Sequence, residues 1–228
     1  MALPANVSFY NLAEGGMSAS YLIVGDKAAL LVDTGAGDID EAAFSSSLKK
    51  YAGDKPVTLV TTHLHQDHTA YHRLFPEYYM HPADHAILQG EIASVYKPLS
   101  EGQSFDLGGV VLEIVGLPGH TPGSIGVLDR ANRYICTGDM VCSGTIFMVD
   151  GQCNFDDFAA SMDKLLKLGV DNCLCCHADS VVPVVHCKQQ IQNVADYKAG
   201  KLTEGPGMFG GGSVFTAADG SGFFRPGA

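Results

Sequence analysis

Residues 62–68 read Thr62-His63-Leu64-His65-Gln66-Asp67-His68, three imidazoles and a carboxylate within six positions, set directly behind the apolar run Val57 to Val60. A short apolar run of this kind reads as a buried strand, so the cluster is delivered at a strand end. Two histidines one residue apart in a strand-like segment point the same way, and both can meet one ion. Asp67 and His68, two and three positions further on, can turn toward a neighbouring second site. Neutral imidazole is a common ligand for zinc and related metals. So many ligand groups behind one apolar strand favour metal over separate hydrogen-bonded side chains.

Working outward, three single candidates follow, each at the end of an apolar strand-like run. His120 sits in Gly116-Leu117-Pro118-Gly119-His120-Thr121-Pro122-Gly123-Ser124, a loop stiffened by Pro and Gly beyond Glu113-Ile114-Val115. Asp139 follows Arg133-Tyr134-Ile135-Cys136-Thr137-Gly138, and His177 closes Val170-Asp171-Asn172-Cys173-Leu174-Cys175-Cys176. Their common placement points to one shared sheet edge.

Turn residues and apolar alternation predict three hairpins: Ser20 to Val24 with Ala28 to Val32, Ser104 to Leu107 with Val110 to Val115, and Ile125 to Leu128 with Tyr134 to Thr137. Helical spacing appears over Ile39 to Tyr51 through Phe44, Leu48 and Tyr51, and over Asp156 to Leu168 through Phe158, Met162 and Leu165. Asn154 reads as an N-cap for the second helix and Gly169 as its stop. Hairpins mixed with helices imply layers of sheet and helix. The glycine-rich stretch 205–228 reads as either a flexible end or a packed one. Its phenylalanines 209, 215, 223 and 224 speak against pure solvated disorder. They can pack on the body, on a second copy of the chain in a homo-oligomer, or over a substrate cleft.

Composition limits the partners. The net charge of −11 gives nucleic acid no basic footprint. No apolar run approaches the roughly 20 residues of a membrane span, and the first residues lack a signal-peptide pattern, so the expectation is a cytoplasmic protein. Seven cysteines without framework spacing suggest reduced thiols. Cys173, Cys175 and Cys176 read as core, since a free cysteine behaves as a small hydrophobe. His72, His81, His85 and His186 read as surface or hydrogen-bonded groups, and Cys142 carries no assigned role.

In its ligand pattern the chain resembles the metallo-β-lactamase superfamily. The H-x-H-x-D-H motif followed by a distant His, Asp and His is met by His63, His65, Asp67, His68, His120, Asp139 and His177, in that order. Leu31-Val32-Asp33-Thr34-Gly35 and the residues around His120 extend the likeness over roughly 20–180. The resemblance implies an αββα sandwich of two mixed sheets flanked by helices, a metallohydrolase domain over 1–204, and a site at one edge of the sheets. It further implies that His63, His65 and His120 hold one divalent ion and Asp67, His68 and His177 another. Asp139 would bridge the two, and Asp33 would buttress the loop. Zinc suits these ligands, and iron and manganese accept them. The implied chemistry is hydrolysis of a small ester, thioester or lactone by hydroxide, with Asp67 as proton carrier.

Subfamilies divide on details. True metallo-β-lactamases lack either the second-site His of the loop or the bridging Asp, whereas His68 and Asp139 are both present. Glyoxalase II enzymes share all seven ligands but add a C-terminal helical domain. Quorum-quenching lactonases place tyrosine where Cys142 stands, superfamily nucleases insert a domain between ligands, and the flavodiiron branch has an acidic residue in place of His65. Sulfur dioxygenases of the same fold use one iron on two His and one Asp, which His63, His120 and Asp139 can supply. A metal-binding protein without catalysis is disfavoured, because no ligand position is missing.

Overall fold

A computed structural model describes residues 9–86, 88, 94–177, 181–208 and 211–227. Three β-sheets and four α-helices are present among them. The first sheet runs β1 (Phe9–Asn11), β2 (Tyr21–Val24), β3 (Ala29–Val32), β4 (Val57–Val60), β5 (Glu77–Met80) and β6 (Val95–Pro98) in chain order. Its first three strands are antiparallel, and β3 to β6 are parallel. The second sheet contains β7 (Ser104–Asp106), β8 (Val111–Gly116), β9 (Ile125–Asp129), β10 (Tyr134–Gly138), β12 (Asn172–Cys175) and β13 (Val181–Pro183). Here β10 and β12 are the parallel pair. The three anticipated hairpins are β2–β3, β7–β8 and β9–β10.

Period-2 alternation explains the layering. Tyr21, Ile23, Leu30 and Val32 of the first sheet face Leu112, Ile114, Ile125 and Val127 of the second, forming the inter-sheet core. The intervening Leu22, Ala29, Leu31 and Leu59 turn outward beneath Phe44 and Ala52 of α1 (Glu41–Ala52). On the far side, Leu128, Ile135 and Cys173 lie beneath α3 (Phe155–Lys167) and α4 (Cys187–Lys198). Both faces of the central strands are therefore covered, and β9 and β10 are buried at every position rather than alternating with polar residues. The architecture is αββα. A short α2 (Pro82–His85) follows β5.

Local signals account for the helices. The Asp40 side chain accepts from Ala43 N at the start of α1. Asn154 accepts from Asp156 N and Asp157 N and starts α3, whose apolar stripe Phe158, Met162 and Leu165 is buried. Helix α4 has no comparable stripe, because its buried face is half polar. Gln190 donates to the Cys142 carbonyl at 3.1 Å and Asn193 to Ser221 Oγ at 2.8 Å.

A third sheet adds to the two that were anticipated. β11 (Thr145–Phe147) pairs with β16 (Gly222–Arg225), then β15 (Ser213–Thr216) and β14 (Thr203–Pro206). The boundary drawn at 204/205 therefore falls inside β14. Phe223 is buried among Phe155, Phe158 and Tyr197, with ring centroids 5.0–6.0 Å apart. The C-terminal stretch packs on α3 and α4 through these rings. Phe209 lies outside the described residues.

His72 is an internal strut. Its Nε2 lies 2.7 Å from Thr61 Oγ1 and its Nδ1 3.0 Å from Thr34 Oγ1, tying the ends of β3 and β4. Burial lowers its pKa to about 4. Between that value and the unfolded value near 6.5, the unfolded chain binds a proton that the folded chain refuses, so stability falls as pH falls across this window. Metal-free protein unfolded with denaturant from pH 7 to pH 4 is expected to lose roughly 3 kcal/mol through this residue. The pH profile of His72→Gln, subtracted from that of wild type, measures it.

Candidate metal centre

Parallel pairing collects the site. Val32 of β3 registers with Val60 of β4, so Asp33 and Thr62 emerge side by side at their carboxyl ends. Gly138 of β10 registers with Cys175 of β12, which puts Asp139 and His177 on the same edge of the second sheet. A backbone bond of 2.9 Å from Ile125 N to Thr62 O ties the two edges together. Glycines precede two of the candidate ligands for steric reasons. A Cβ on Gly119 would stand 2.3 Å from Phe158 Cα, and one on Gly138 would stand 2.4 Å from Thr62 Oγ1, both at positive φ.

All seven candidate ligands converge, in two groups sharing Asp139: His63, His65, His120 and Asp139, then Asp67, His68, Asp139 and His177. In the first, Nε2 of His63, Nδ1 of His65 and Nε2 of His120 form a triangle with sides of 3.0–3.2 Å. Donors bound tetrahedrally to zinc at its usual bond length stand about 3.3 Å apart, so the triangle fits one ion. In the second, His177 Nε2 lies 3.0 Å from Asp67 Oδ2 and 3.2 Å from Asp139 Oδ2. His68 Nε2 lies 3.3 Å from Asp139 Oδ1, yet neither buried atom has a hydrogen-bond partner. Buried polar atoms left so are costly unless something else satisfies them, and a cation between them would.

The opposite ring nitrogens explain why these faces point inward. His63 Nδ1 is 3.0 Å from Thr62 Oγ1, which itself donates to Asp33 Oδ2 at 2.7 Å. His65 Nε2 meets Gln152 Oε1 at 2.9 Å, His68 Nδ1 meets Asp33 Oδ2 at 2.9 Å, and His177 Nδ1 meets the Met17 carbonyl at 2.7 Å. Each acceptor takes one ring proton, so the inner nitrogens of His63 and His65 are left with lone pairs facing the centre, and those of His68 and His177 would be once a cation displaced their second proton. Asp33, fully buried at φ 58°, also accepts from Thr62 N at 2.7 Å. Asp33, His68 and Cys176 also lie together, but the Asp33 oxygens are already engaged by these donors.

Electrostatics divide the two groups. Burial, reinforced by the neighbouring imidazoles, holds His63 well below the ordinary histidine value, and burial lowers His120 to about 4. Both are the neutral, ligating form at pH 7. Burial works against the charged form of His68 and His177 too, but the surrounding carboxylates outweigh it. They raise His68 well above normal and His177 to about 10. The same contacts outweigh burial for Asp67 and Asp139 and keep both carboxyls below their ordinary value.

Asp84 and Gln152 were not anticipated from the sequence. Asp84, fully buried in α2, accepts from Leu64 N at 3.0 Å, Thr121 Oγ1 at 2.7 Å and Gly123 N at 2.5 Å. It thereby clamps the His63–His65 loop to the His120 loop. Its one sequence signal is a carboxylate at the start of a short helix behind Pro82, which does not say what it binds. Of the other histidines, His81 caps α2, His85 stacks on Tyr96 and His186 bonds the Cys142 carbonyl. Cys173 and Cys175 are buried in the core beneath α3 and α4, and Cys176 in that between the sheets. Cys142 is buried at the cleft wall beside Cys175, whose hydrogen bond, against the effect of burial, lowers its pKa to about 7.

A cleft of about 540 Å³ opens above both groups, lined in part by His65, Asp67, Asp139 and His177. No helix among the described residues is long and apolar enough to cross a membrane.

Comparison with known proteins bears on the family and the fold. The acyl-coenzyme A thioesterase MBLAC2 of Gallus gallus is 27% identical over 189 residues, 68% of each chain. The hydroxyacylglutathione hydrolase GloC of Haemophilus influenzae is 42% identical over 73 residues, 31% of this chain and 34% of that one. The di-iron-bound form of TTHA1623 superposes with a TM-score of 0.63 at 22% identity, covering 77% of this chain and 95% of that one, a likeness of fold. The family model of the metallo-beta-lactamase superfamily matches residues 13–177, from ahead of β2 to the last of the seven candidate ligands, and the chain belongs to that superfamily.

Proposed function

We propose that the chain is a two-ion, zinc-dependent hydrolase of a small thioester, with ester and lactone carbonyls as neighbouring substrates. The observation that carries this reading is the shared carboxylate. Asp139 Oδ2 stands 3.8 Å from His63 Nε2 and 3.7 Å from His120 Nε2, while its Oδ1 faces His68, so one side chain closes both donor sets. The names of the two curated relatives, an acyl-coenzyme A thioesterase and a hydroxyacylglutathione hydrolase, support a thioester. All seven cysteines are free, which suits a reducing cytoplasm.

Bound divalent ions supply Lewis acidity for a carbonyl and bring the pKa of water toward neutrality. The chain's residues do the rest. Asp33, Thr62, Gln152 and the Met17 carbonyl fix the rings. Asp67, with a third of its side chain exposed to the cleft, is placed to hold and pass a proton. The oxygen of water bonds to the acyl carbon, the carbon–sulfur bond breaks, and sulfur leaves with the electron pair. The proton that water gives up reaches it through Asp67. A single-iron dioxygenase would use His63, His120 and Asp139 and leave the convergence of Asp67, His68 and His177 without a purpose.

Protein purified without added metal is expected to hold about two ions per chain and to cleave members of a thioester, ester and lactone panel without oxygen uptake. One iron per chain with oxygen uptake on glutathione persulfide would overturn the reading.

Filling the second group must expel the protons that Asp139 and Asp33 hold on His68 and that Asp139 and Asp67 hold on His177. Zinc titration of metal-free protein at pH 7 is therefore expected to release about two protons. Calorimetry in buffers of different ionisation enthalpy measures this, and Asp67→Asn should reduce it.

Asp84→Asn places an amide NH₂ against donors that need acceptors. Zinc affinity is expected to fall about 10- to 100-fold, as for other lost partners behind metal ligands. Competition with a chelating dye reads the affinity, and far-ultraviolet circular dichroism confirms the fold.

A further inference from the structure

We propose that selectivity resides in the acyl half of the substrate: the cleft receives an uncharged, apolar acyl chain and leaves the carrier thiol to solvent. This rests on the thioester reading and adds what that reading does not contain, namely which half is recognised and by what.

The cleft has a polar floor and mainly apolar walls, with Gln66 and Thr145 the uncharged polar side chains among its lining. Above His65, Asp67, Asp139 and His177 stand Met17, Ile146, Phe147, Val149 and Met208. None of the 14 lysines and arginines lines it, and all of them lie within the described residues. Recognition of a phosphorylated or multiply carboxylated carrier relies on such cations. Ten of the 14 are instead paired with carboxylates, among them Arg225 with Asp150 and Lys164 with Glu101. An acyl carbonyl seated at the floor would direct its alkyl chain along the methionine and phenylalanine walls.

Part of the walls comes from the third sheet. Ile146 and Phe147 lie on β11, which registers with Phe223 and Phe224 of β16, and the Phe147 ring packs on Phe224 at 4.7 Å. Met208 sits between β14 and β15. The C-terminal stretch is therefore both anchored on α3 and α4 and built into the cleft. A phenylalanine held from behind gives a fixed wall, and methionines at the rim adapt to different chain lengths.

The test uses metal-loaded full-length protein with straight-chain acyl thioesters from acetyl to octanoyl, each on coenzyme A and on N-acetylcysteamine. kcat/KM is expected to rise about three- to fourfold per methylene until the cleft is full, in parallel on both carriers. Met208→Ser and Phe147→Ser should each reduce the factor per methylene. Calorimetric binding of uncleavable thioether analogues should show the same rise. Rates and binding that do not change with chain length, or a preference above tenfold for coenzyme A at equal acyl length, would overturn the inference. Chain-length-dependent binding without cleavage of any thioester would instead sink the thioester hydrolase and leave the apolar cleft standing.

Discussion

The Asp33 carboxylate is the constraint on which the rest depends. It is fully buried and sits in left-handed backbone at the end of β3. A carboxylate in that position is intolerable without donors. The Cys176 thiol is one, and the carboxylate's nitrogen and hydroxyl donors are the N–H and hydroxyl of Thr62 and Nδ1 of His68. Those groups reach it only if β3 and β4 are parallel neighbours in their observed register. Thr62 in turn holds the His63 ring. One buried charge thus converts a strand pairing into the orientation of two imidazoles, and the fold and the site are a single cooperative unit.

What the sequence discloses follows from the range of each interaction. His63, His65, Asp67 and His68 are legible because their spacing is local and a strand precedes them. His120, Asp139 and His177 are legible because each ends an apolar run, and parallel strands bring such ends to one edge. The central strands are legible through their valines and leucines, which are covered on both faces. Asp84 and Gln152 are not, because their importance lies in partners far along the chain: Thr121 and Gly123 for one, His65 for the other. Helix α4 hides for a related reason. The side-chain amide nitrogens of its buried Gln190 and Asn193 donate to the Cys142 carbonyl and to Ser221 Oγ, and no periodicity marks a polar residue as internal.

The third sheet is an intermediate case. Its strands are three or four residues long and three of them lie in or at the edge of a glycine-rich stretch, so β14 to β16 do not announce themselves. The phenylalanines do show that the stretch has something to bury, and Phe223 meets that need against Phe155, Phe158 and Tyr197. Composition there discloses packing without disclosing topology.

The charge balance of the centre bears on the kind of bond that can be broken. On the two-ion reading, five neutral imidazoles and the carboxylates of Asp67 and Asp139 compensate only half of the charge of two divalent cations. The excess is held in a largely buried pocket, where it acts more strongly than in water. Asp33 reduces it from behind through His68 and Thr62, without occupying a position on the cleft side. A centre of this kind favours the build-up of negative charge on an acyl oxygen and on a departing sulfur. Thiolates are also weaker bases than alkoxides, so they need less help from a proton donor in leaving. Asp67, whose carboxyl is held below its ordinary value by His177 and His68 against the effect of burial, stays ionised near neutral pH, so it passes a proton on without storing one. That combination suits thioester cleavage better than hydrolysis of an unactivated alkyl ester, where a group protonated near neutral pH would be required to help the alkoxide leave.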